Sequence, residues 1–449
     1  MSSTKTGERW SSRWAFILAT TGAAVGLGNI WRFPYMAGNY GGSAFVIIYL
    51  LCVALIALPV LISEIILGRH GRKNPVDSLA DIAKENNHST KWKFLGWWGL
   101  LALILVLSFY SVVSGWSIAY FIKSISGQFN QMTPDQVGQT WGNFLSNPWR
   151  LLSWNTAFMV LTIGIVIRGI SKGIEKATHI MMPILYLILI SLVIFSCVTG
   201  DAHKAFSYLF AFKLSDVTPT IVIAAMGHAF FTLAVGAGAM LMYGAYAPKN
   251  INIVSTVLIV TVLDIAVAIL AGLAIFPLVF AYNLEPTSGP GLMFITLPIA
   301  FAKMHFGNIV GAGFFLLLFF ASLTSSINLA EPVIVTLINK LQISRKKAAL
   351  ITGAAAWFLG VFSILSFNQW KNIKLLHQTL FDLISNATTD IFLPIGGLGF
   401  AIVAGYIMKK TQSQDELAAS GHKVYSLWRF LIRYVAPIGI VIVLISAFV

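Results

Sequence analysis

Long apolar stretches separated by short polar ones run the length of the chain. About eleven of them reach the roughly 20 residues that cross a bilayer as a helix. Their limits fall near 13–40, 43–69, 94–124, 152–169, 175–198, 219–246, 251–283, 309–340, 345–367, 375–408 and 425–449. The pattern predicts an all-α integral membrane protein. Three connections, 125–151, 199–218 and 284–308, are long enough to carry structure of their own. The last is bounded by Pro and Gly and reads as a short re-entrant or surface helix pair.

Two spans break the apolar pattern. "TTGAAVGLGNIWRFP" (20–34) holds three glycines, Asn29 and Arg32; "GHAFFTLAVGAGAM" (227–240) holds a run of small residues. Irregular backbone at membrane depth is tolerated only where it lines a cavity or is buried in protein. The two interruptions lie five spans apart, which points to an inverted repeat with its binding site at the bilayer midplane. On that pattern 13–198 is the first repeat, 219–408 the second and 425–449 an added C-terminal helix. Small residues also suit close helix packing, and Gly22 and Gly26 have that spacing, but packing leaves Asn29 and Arg32 unexplained. A break around Ala24–Gly28 would free carbonyls for a cation and expose the following half-helix's amides to an anion. Asn29 would add a hard, neutral oxygen suited to sodium.

Composition changes the picture in one respect. The 449 residues are 57% hydrophobic and only 10% charged, yet carry a net charge of +14. In a soluble protein that balance suggests nucleic acid. Here the cations cluster in short connections: Arg69, Arg72, Lys73, Lys84, Lys91 and Lys93 in one, Lys340, Arg345, Lys346 and Lys347 in another. That is the positive-inside pattern, and with Lys5, Arg9 and Arg13 it predicts a cytoplasmic N-terminus. An odd number of spans then places the C-terminus outside. Cys52 and Cys197 lie in apolar segments and suggest neither a disulfide framework nor a metal site. No P-loop, nucleophile–base pair or ligand cluster stands out, so the expectation is neither an enzyme nor an ATP-driven pump, without organic cofactor or nucleic-acid partner.

The stretch "GAAVGLGNIWRFPYMAGNYGGSAF" resembles the signature of the neurotransmitter:sodium symporter family. The likeness continues through "LPVLISEIILGR", "SFYSVVSGW", "RGISKGIEKA", "AFFTLAVGAGAM" and "FFASLTSSINLAEP", in order, over almost the whole chain. It implies the leucine-transporter fold of the bacterial amino-acid transporters, with broken first and sixth helices. It implies a first sodium site from the Ala24 carbonyl, Asn29, Thr232 and Asp264, and a second from the carbonyls of Gly22, Val25 and Ala321 and the hydroxyls of Thr324 and Ser325. A substrate carboxylate would meet the amides of Leu27 and Gly28 and the Tyr110 hydroxyl; its ammonium would meet carbonyls near Phe231 and Thr232. Val106, Phe231, Ala234, Ala237 and Leu329 would line the side-chain pocket, with Ser325 close by.

Gly26 stands where monoamine carriers of the family have Asp, so the resemblance implies a substrate with its own carboxylate. Ala234 and Ala237 imply room for a bulky aliphatic or aromatic side chain. Asp264 and Ala268 stand where chloride-dependent relatives have Asn and Ser, which implies charge balance without chloride, although Tyr49 and Thr232 match two chloride ligands. Glu64 would hold the amides of the opened sixth span, and Glu331, beside Pro332, would satisfy a kink. His228 would lie near Arg32, the outer-gate arginine, whose acid partner aligns with Ser385; Asp382 is the acid a turn earlier. At the inner gate the usual acid aligns with Asn339 and the usual arginine with Gly7, while Trp10 matches an aromatic plug. Gly173 and Pro183, nine residues between them, permit either local unwinding or an ordinary kinked helix start. The expected function is sodium-coupled import of a neutral amino acid across a bacterial inner membrane; the alternative is an amino-acid sensor with little transport.

Overall fold

The computed structural model describes residues 9–248, 251–285 and 291–446. Lys5 and Gly7, named above for topology and the inner gate, lie outside the described residues. Nine helices are long and apolar enough to cross a membrane among those described: Ser43–Gly71, Thr90–Ile125, Pro148–Val166, Ile170–Thr199, Ile253–Ala281, Gly307–Leu341, Arg345–Leu365, Leu380–Ile407 and His422–Ile445. The first and sixth spans complete the set, and both are interrupted. The first consists of Arg13–Ala24 and Gly28–Asn39, bent by 48°. The sixth consists of Pro219–Thr232 and Ala239–Ala245.

Span limits agree with the hydropathy pattern to within a few residues, the tenth starting late because the chain turns through 366–379 before Leu380. Connections carry short helices: Pro75–Glu85 on the basic side, Pro134–Leu145, Ala202–Phe210 and Leu297–Lys303 on the other. Within 284–308, where the sequence predicts a helix pair, the described residues form one apolar helix, Leu292–Lys303, and 286–290 lie outside the described residues. Polar N-caps set helix starts, as where Asn74, Thr133 and Ser344 accept bonds from backbone amides three residues on.

The core is built around the broken spans rather than around a separate apolar centre. Ala24, Val25, Leu27, Asn29 and Ile30 are all essentially buried, as are Thr232, Leu233 and Val235. The third and eighth spans pack along each other and wall the broken segments on one side. The fifth span begins as a continuous wide helix (Ile170–Glu175) that runs straight into Lys176–Thr199, so the Gly173–Pro183 region is wound in this structure.

Candidate functional site

Helix Arg13–Ala24 ends because Val25 turns to extended backbone (φ −67°, ψ 110°). The chain resumes at Gly28 as a wide helical turn, Gly28–Arg32, of the kind often found at functional sites. Within the break the Asn29 side-chain oxygen accepts from the Gly26 amide at 3.0 Å. Its amide donates to the Asp264 carboxylate at 2.7 Å and to the Asp264 carbonyl at 3.0 Å. The Thr232 hydroxyl, at the end of the sixth span's first half, meets the same carboxylate at 3.1 Å. Asn29, Thr232 and Asp264 thus converge from three spans in a fully buried cluster of oxygens carrying one carboxylate. That donor set fits a small hard cation.

A second oxygen cluster lies on the other side of the break. The Ser325 hydroxyl donates to the Val25 carbonyl at 3.0 Å and faces the Gly22 carbonyl at 3.4 Å. One residue earlier, the Thr324 hydroxyl donates to the Ala321 carbonyl at 3.0 Å. Gly22 packs directly on Thr324, so these five residues sit together. The bond from Thr324 to its own helix is the ordinary habit of Ser and Thr in membranes. The bond from Ser325 to the opened backbone is not, because it joins the eighth span to the break in the first.

Between the clusters lies a small apolar cavity lined by Ala24, Gly26, Gly28, Val106, Tyr110, Phe231, Ala234, Ala237, Ser325 and Leu329. Leu27 and Thr232 border it through the backbone and the first cluster rather than lining it. Leu103, Leu393 and Ala23 also line it, beyond the expected set. Leu103 lies three residues before Val106 and seven before Tyr110, so helical spacing put it on the same face; Leu393 enters from the tenth span, beyond the reach of local spacing. The Leu27 amide donates to the Tyr110 hydroxyl at 2.9 Å. A methyl group on Gly26 would overlap both the Tyr110 and the Ser325 hydroxyls. The free space is only about 40 Å³, so a ligand larger than a few waters enters by moving the walls.

The break in the sixth span has a different origin. Ala234 takes a left-handed conformation (φ 51°), followed by Gly236 (φ 93°) and Gly238 (φ 75°). Gly236 also has no room for a side chain, because the Leu393 carbonyl of the tenth span occupies that position. Its freed amide donates to the buried Glu64 carboxylate at 2.6 Å, with the amides of Gly238, Met240 and Leu241 nearby. An unpaired amide in hydrocarbon costs several kcal/mol, about the scale this carboxylate offsets.

Comparison with known proteins decides the class. The sequence profile described as the sodium:neurotransmitter symporter family matches residues 7–143 and 146–449. The chain belongs to that family. It is 34% identical to the uncharacterized sodium-dependent transporter YhdH of Bacillus subtilis over 98% of this chain and 97% of the relative. An uncharacterized sodium-dependent transporter of Haemophilus influenzae is 32% identical over 98% of each chain. In three dimensions the chain is similar to MhsT in complex with L-phenylalanine, with a TM-score of 0.92, 39% identity, and 98% and 99% of the two chains covered. This symporter is therefore a multi-pass, sodium-dependent secondary transporter of the leucine-transporter fold, and not an enzyme.

The face of the symporter that carries Arg32 holds more than one acid. Arg32 lies over the Phe231 ring, 4.9 Å from its centroid, at the floor of a vestibule of about 400 Å³. Asp382 and Ser385 line that vestibule, but Asp382 is engaged by the Thr379 hydroxyl at 2.7 Å. The acid whose charge acts on Arg32 is Asp390. Asp390 lies within a wide helical turn, Ala387–Phe392. His228 is buried among Phe33, Phe45 and Tyr49, with ring centroids 6.0, 5.7 and 5.2 Å away, and feels the Arg32 charge.

On the symporter's opposite face, Glu331 is partnered from other spans. Its carboxylate accepts from the Tyr246 hydroxyl at 3.0 Å and is gripped by both terminal nitrogens of Arg345. Arg345 also donates from Nε to the Val166 carbonyl at 2.9 Å. Trp10 closes the same region: its indole donates to the Tyr243 carbonyl at 3.3 Å, and its ring lies 5.1 Å from the Tyr243 ring. The fourth, sixth, eighth and ninth spans are thereby tied together below the site.

Proposed function

We propose that this symporter imports a neutral amino acid with a bulky aliphatic or aromatic side chain, driven by sodium bound at two sites, by alternating access and without chloride. The observation that carries it is Gly26, hemmed in by the hydroxyls of Tyr110 and Ser325. No acidic side chain fits there to meet an amine, so the ligand supplies its own carboxylate. That carboxylate would take the amides of Leu27 and Gly28 and turn the Tyr110 hydroxyl into its donor. The ammonium would meet carbonyls at the end of the sixth span's first half, near Phe231 and Thr232. Val106, Phe231, Ala234, Ala237 and Leu329 would hold the side chain, and the L-phenylalanine bound to MhsT supports a large one.

One sodium would be held by the Ala24 carbonyl, Asn29, Thr232, Asp264 and the substrate carboxylate. The other would be held by Gly22, Val25, Ala321, Thr324 and Ser325. A carboxylate shared between substrate and first sodium makes each ligand stabilise the geometry the other needs, which is the origin of coupling. Asp264 supplies a fixed negative charge inside the cluster, beside the Tyr49 hydroxyl and Thr232, which removes the need for a chloride there. Arg32, Asp382 and His228 belong to the outer gate, Trp10 to the inner one, and Glu64 supports the sixth-span break. We further take 13–198 and 219–408 as the inverted repeats, 425–449 as an added helix, a cytoplasmic N-terminus, an outer C-terminus and a bacterial inner membrane.

The test is competition against labelled phenylalanine uptake in proteoliposomes, repeated with gluconate in place of chloride. Neutral bulky amino acids should compete, phenethylamine, which lacks the carboxylate, should not, and gluconate should change nothing. Competition by the amine, or loss of uptake in gluconate, would overturn the corresponding part.

A further inference from the structure

The ninth span, Arg345–Leu365, stands between two apolar clefts on the bilayer-facing surface. One cleft, about 440 Å³, lies against the fourth span and is lined by Leu350, Ala354 and Trp357 with Gly164 and Ile167. The other, about 280 Å³, lies against the third and eighth spans and is lined by Ile351 and Ala355 with Trp97, Leu101 and Leu337. Both clefts are open rather than collapsed: Leu350 is 52% and Ile351 48% exposed. Two exposed lysines stand at the foot of this helix. Lys346 precedes Leu350 by four residues and Lys347 precedes Ile351 by four, so each sits one turn below one cleft. Arg168 follows Ile167 at the foot of the first cleft and is also exposed. Neither lysine has an ion-pair partner among the described residues, whereas their neighbour Arg345 is taken by Glu331 and the Val166 carbonyl.

We propose that these clefts seat the two acyl chains of one anionic phospholipid straddling the ninth span, with its phosphate held by Lys346 and Lys347. Positive-inside charge accounts for basic residues at this end of the helix, and the proposal takes that end as cytoplasmic. It does not account for a cleft directly above each lysine. Acyl chains fill grooves that would otherwise leave their walls without contact partners. A lysine near an anionic headgroup contributes on the order of 1 kcal/mol, so the pair corresponds to roughly 30-fold in affinity. The bound phosphate would also stand next to Arg345, which ties lipid occupancy to the inner closure built on Glu331.

Native mass spectrometry of the detergent-purified protein, titrated with palmitoyl-oleoyl phosphatidylglycerol or the matching phosphatidylcholine, tests this. The expected result is retained phosphatidylglycerol on the wild type, weakened roughly 30-fold in Lys346→Ala/Lys347→Ala. Gly164→Leu, which fills the first cleft where a new Cβ meets no atom within 4 Å, should weaken it as well. An unchanged thermal unfolding midpoint in both variants shows that the fold persists. Equal retention of the two lipids, or retention untouched in both variants, would overturn the proposal. So would disulfide cross-linking of two Ala354→Cys copies in liposomes, which would make the face a contact between copies.

Discussion

The Leu27 amide and the Tyr110 hydroxyl are 2.9 Å apart, and their hydrogen bond ties the break in the first span to the cavity face of the third. On the proposed reading, that hydroxyl would become a donor to the substrate carboxylate. A hydrogen bond to a charged group contributes about 1.5–3 kcal/mol. Tyr110→Phe should therefore raise the KM for the amino acid by about tenfold or more, with a smaller change in maximal uptake, in sodium-driven transport assays.

Gly26 admits no side chain. Gly26→Ala places a methyl group on the Tyr110 and Ser325 hydroxyls, and Ser325 also bonds the Val25 carbonyl. We expect loss of both substrate binding and sodium binding at the second cluster, measured by sodium-dependent binding of labelled phenylalanine to purified protein. Gly28→Ala, whose nearest neighbour is the movable Phe231 ring at 3.2 Å, should be milder.

Asp264 is the one carboxylate in the buried oxygen cluster with Asn29 and Thr232. Two unit charges 4 Å apart interact by about 4 kcal/mol at an effective dielectric of 20. Asp264→Asn should raise the sodium concentration for half-maximal uptake at least tenfold. A sodium titration of uptake at fixed substrate reads this directly, and an unchanged midpoint would remove Asp264 from the cation site.

The Tyr246–Glu331–Arg345 contacts join three spans below the site, and the bond from Arg345 to the Val166 carbonyl adds a fourth. Removing one member of a buried ion pair costs about 3–5 kcal/mol, because the other charge is left unpaired. Arg345→Ala should lower the thermal midpoint and speed amide hydrogen exchange in residues 243–247 relative to the outer half of the sixth span. Uniform exchange changes across the chain would mean general destabilisation rather than opening of the inner face.

Acid should loosen the basic face. Burial alone would raise the Glu416 carboxyl, but the hydrogen bond from His70 and the charge and hydrogen bond of Arg69 outweigh it and hold the carboxyl below its ordinary value of 4.5. The contact to Arg69 Nε is 2.5 Å. With the folded value depressed, this stabilisation is complete above pH 4.5 and disappears as pH falls through the lower folded value. Thermal midpoints measured downward from pH 6 should therefore drop more steeply for the wild type than for Glu416→Gln.

Much of the site was legible because membranes leave few reasons for a polar residue or a glycine run. Asn29, Asp264 and Glu64 are each interpretable alone, since hydrocarbon penalises them unless they are partnered. The partners were less legible. The position aligned with the acid partner of Arg32 holds Ser385, with Asp382 a turn earlier, whereas the charge of Asp390, within the wide turn Ala387–Phe392, acts on Arg32. Glu331 stands beside Pro332, and its partners from the sixth and ninth spans are encoded by no local spacing. Leu393 reaches the cavity only because the tenth span packs its backbone onto Gly236, a contact that no local spacing encodes.

The central claim is that sodium and an amino acid share one site and move together. The direct measurement is accumulation of labelled phenylalanine in proteoliposomes under an inward sodium gradient, followed by collapse of that gradient with a sodium ionophore. Uptake above the equilibrium level that drains away on collapse is the predicted result. Sodium-dependent binding that never exceeds equilibration would contradict coupled transport, and would leave a protein that senses the amino acid without carrying it.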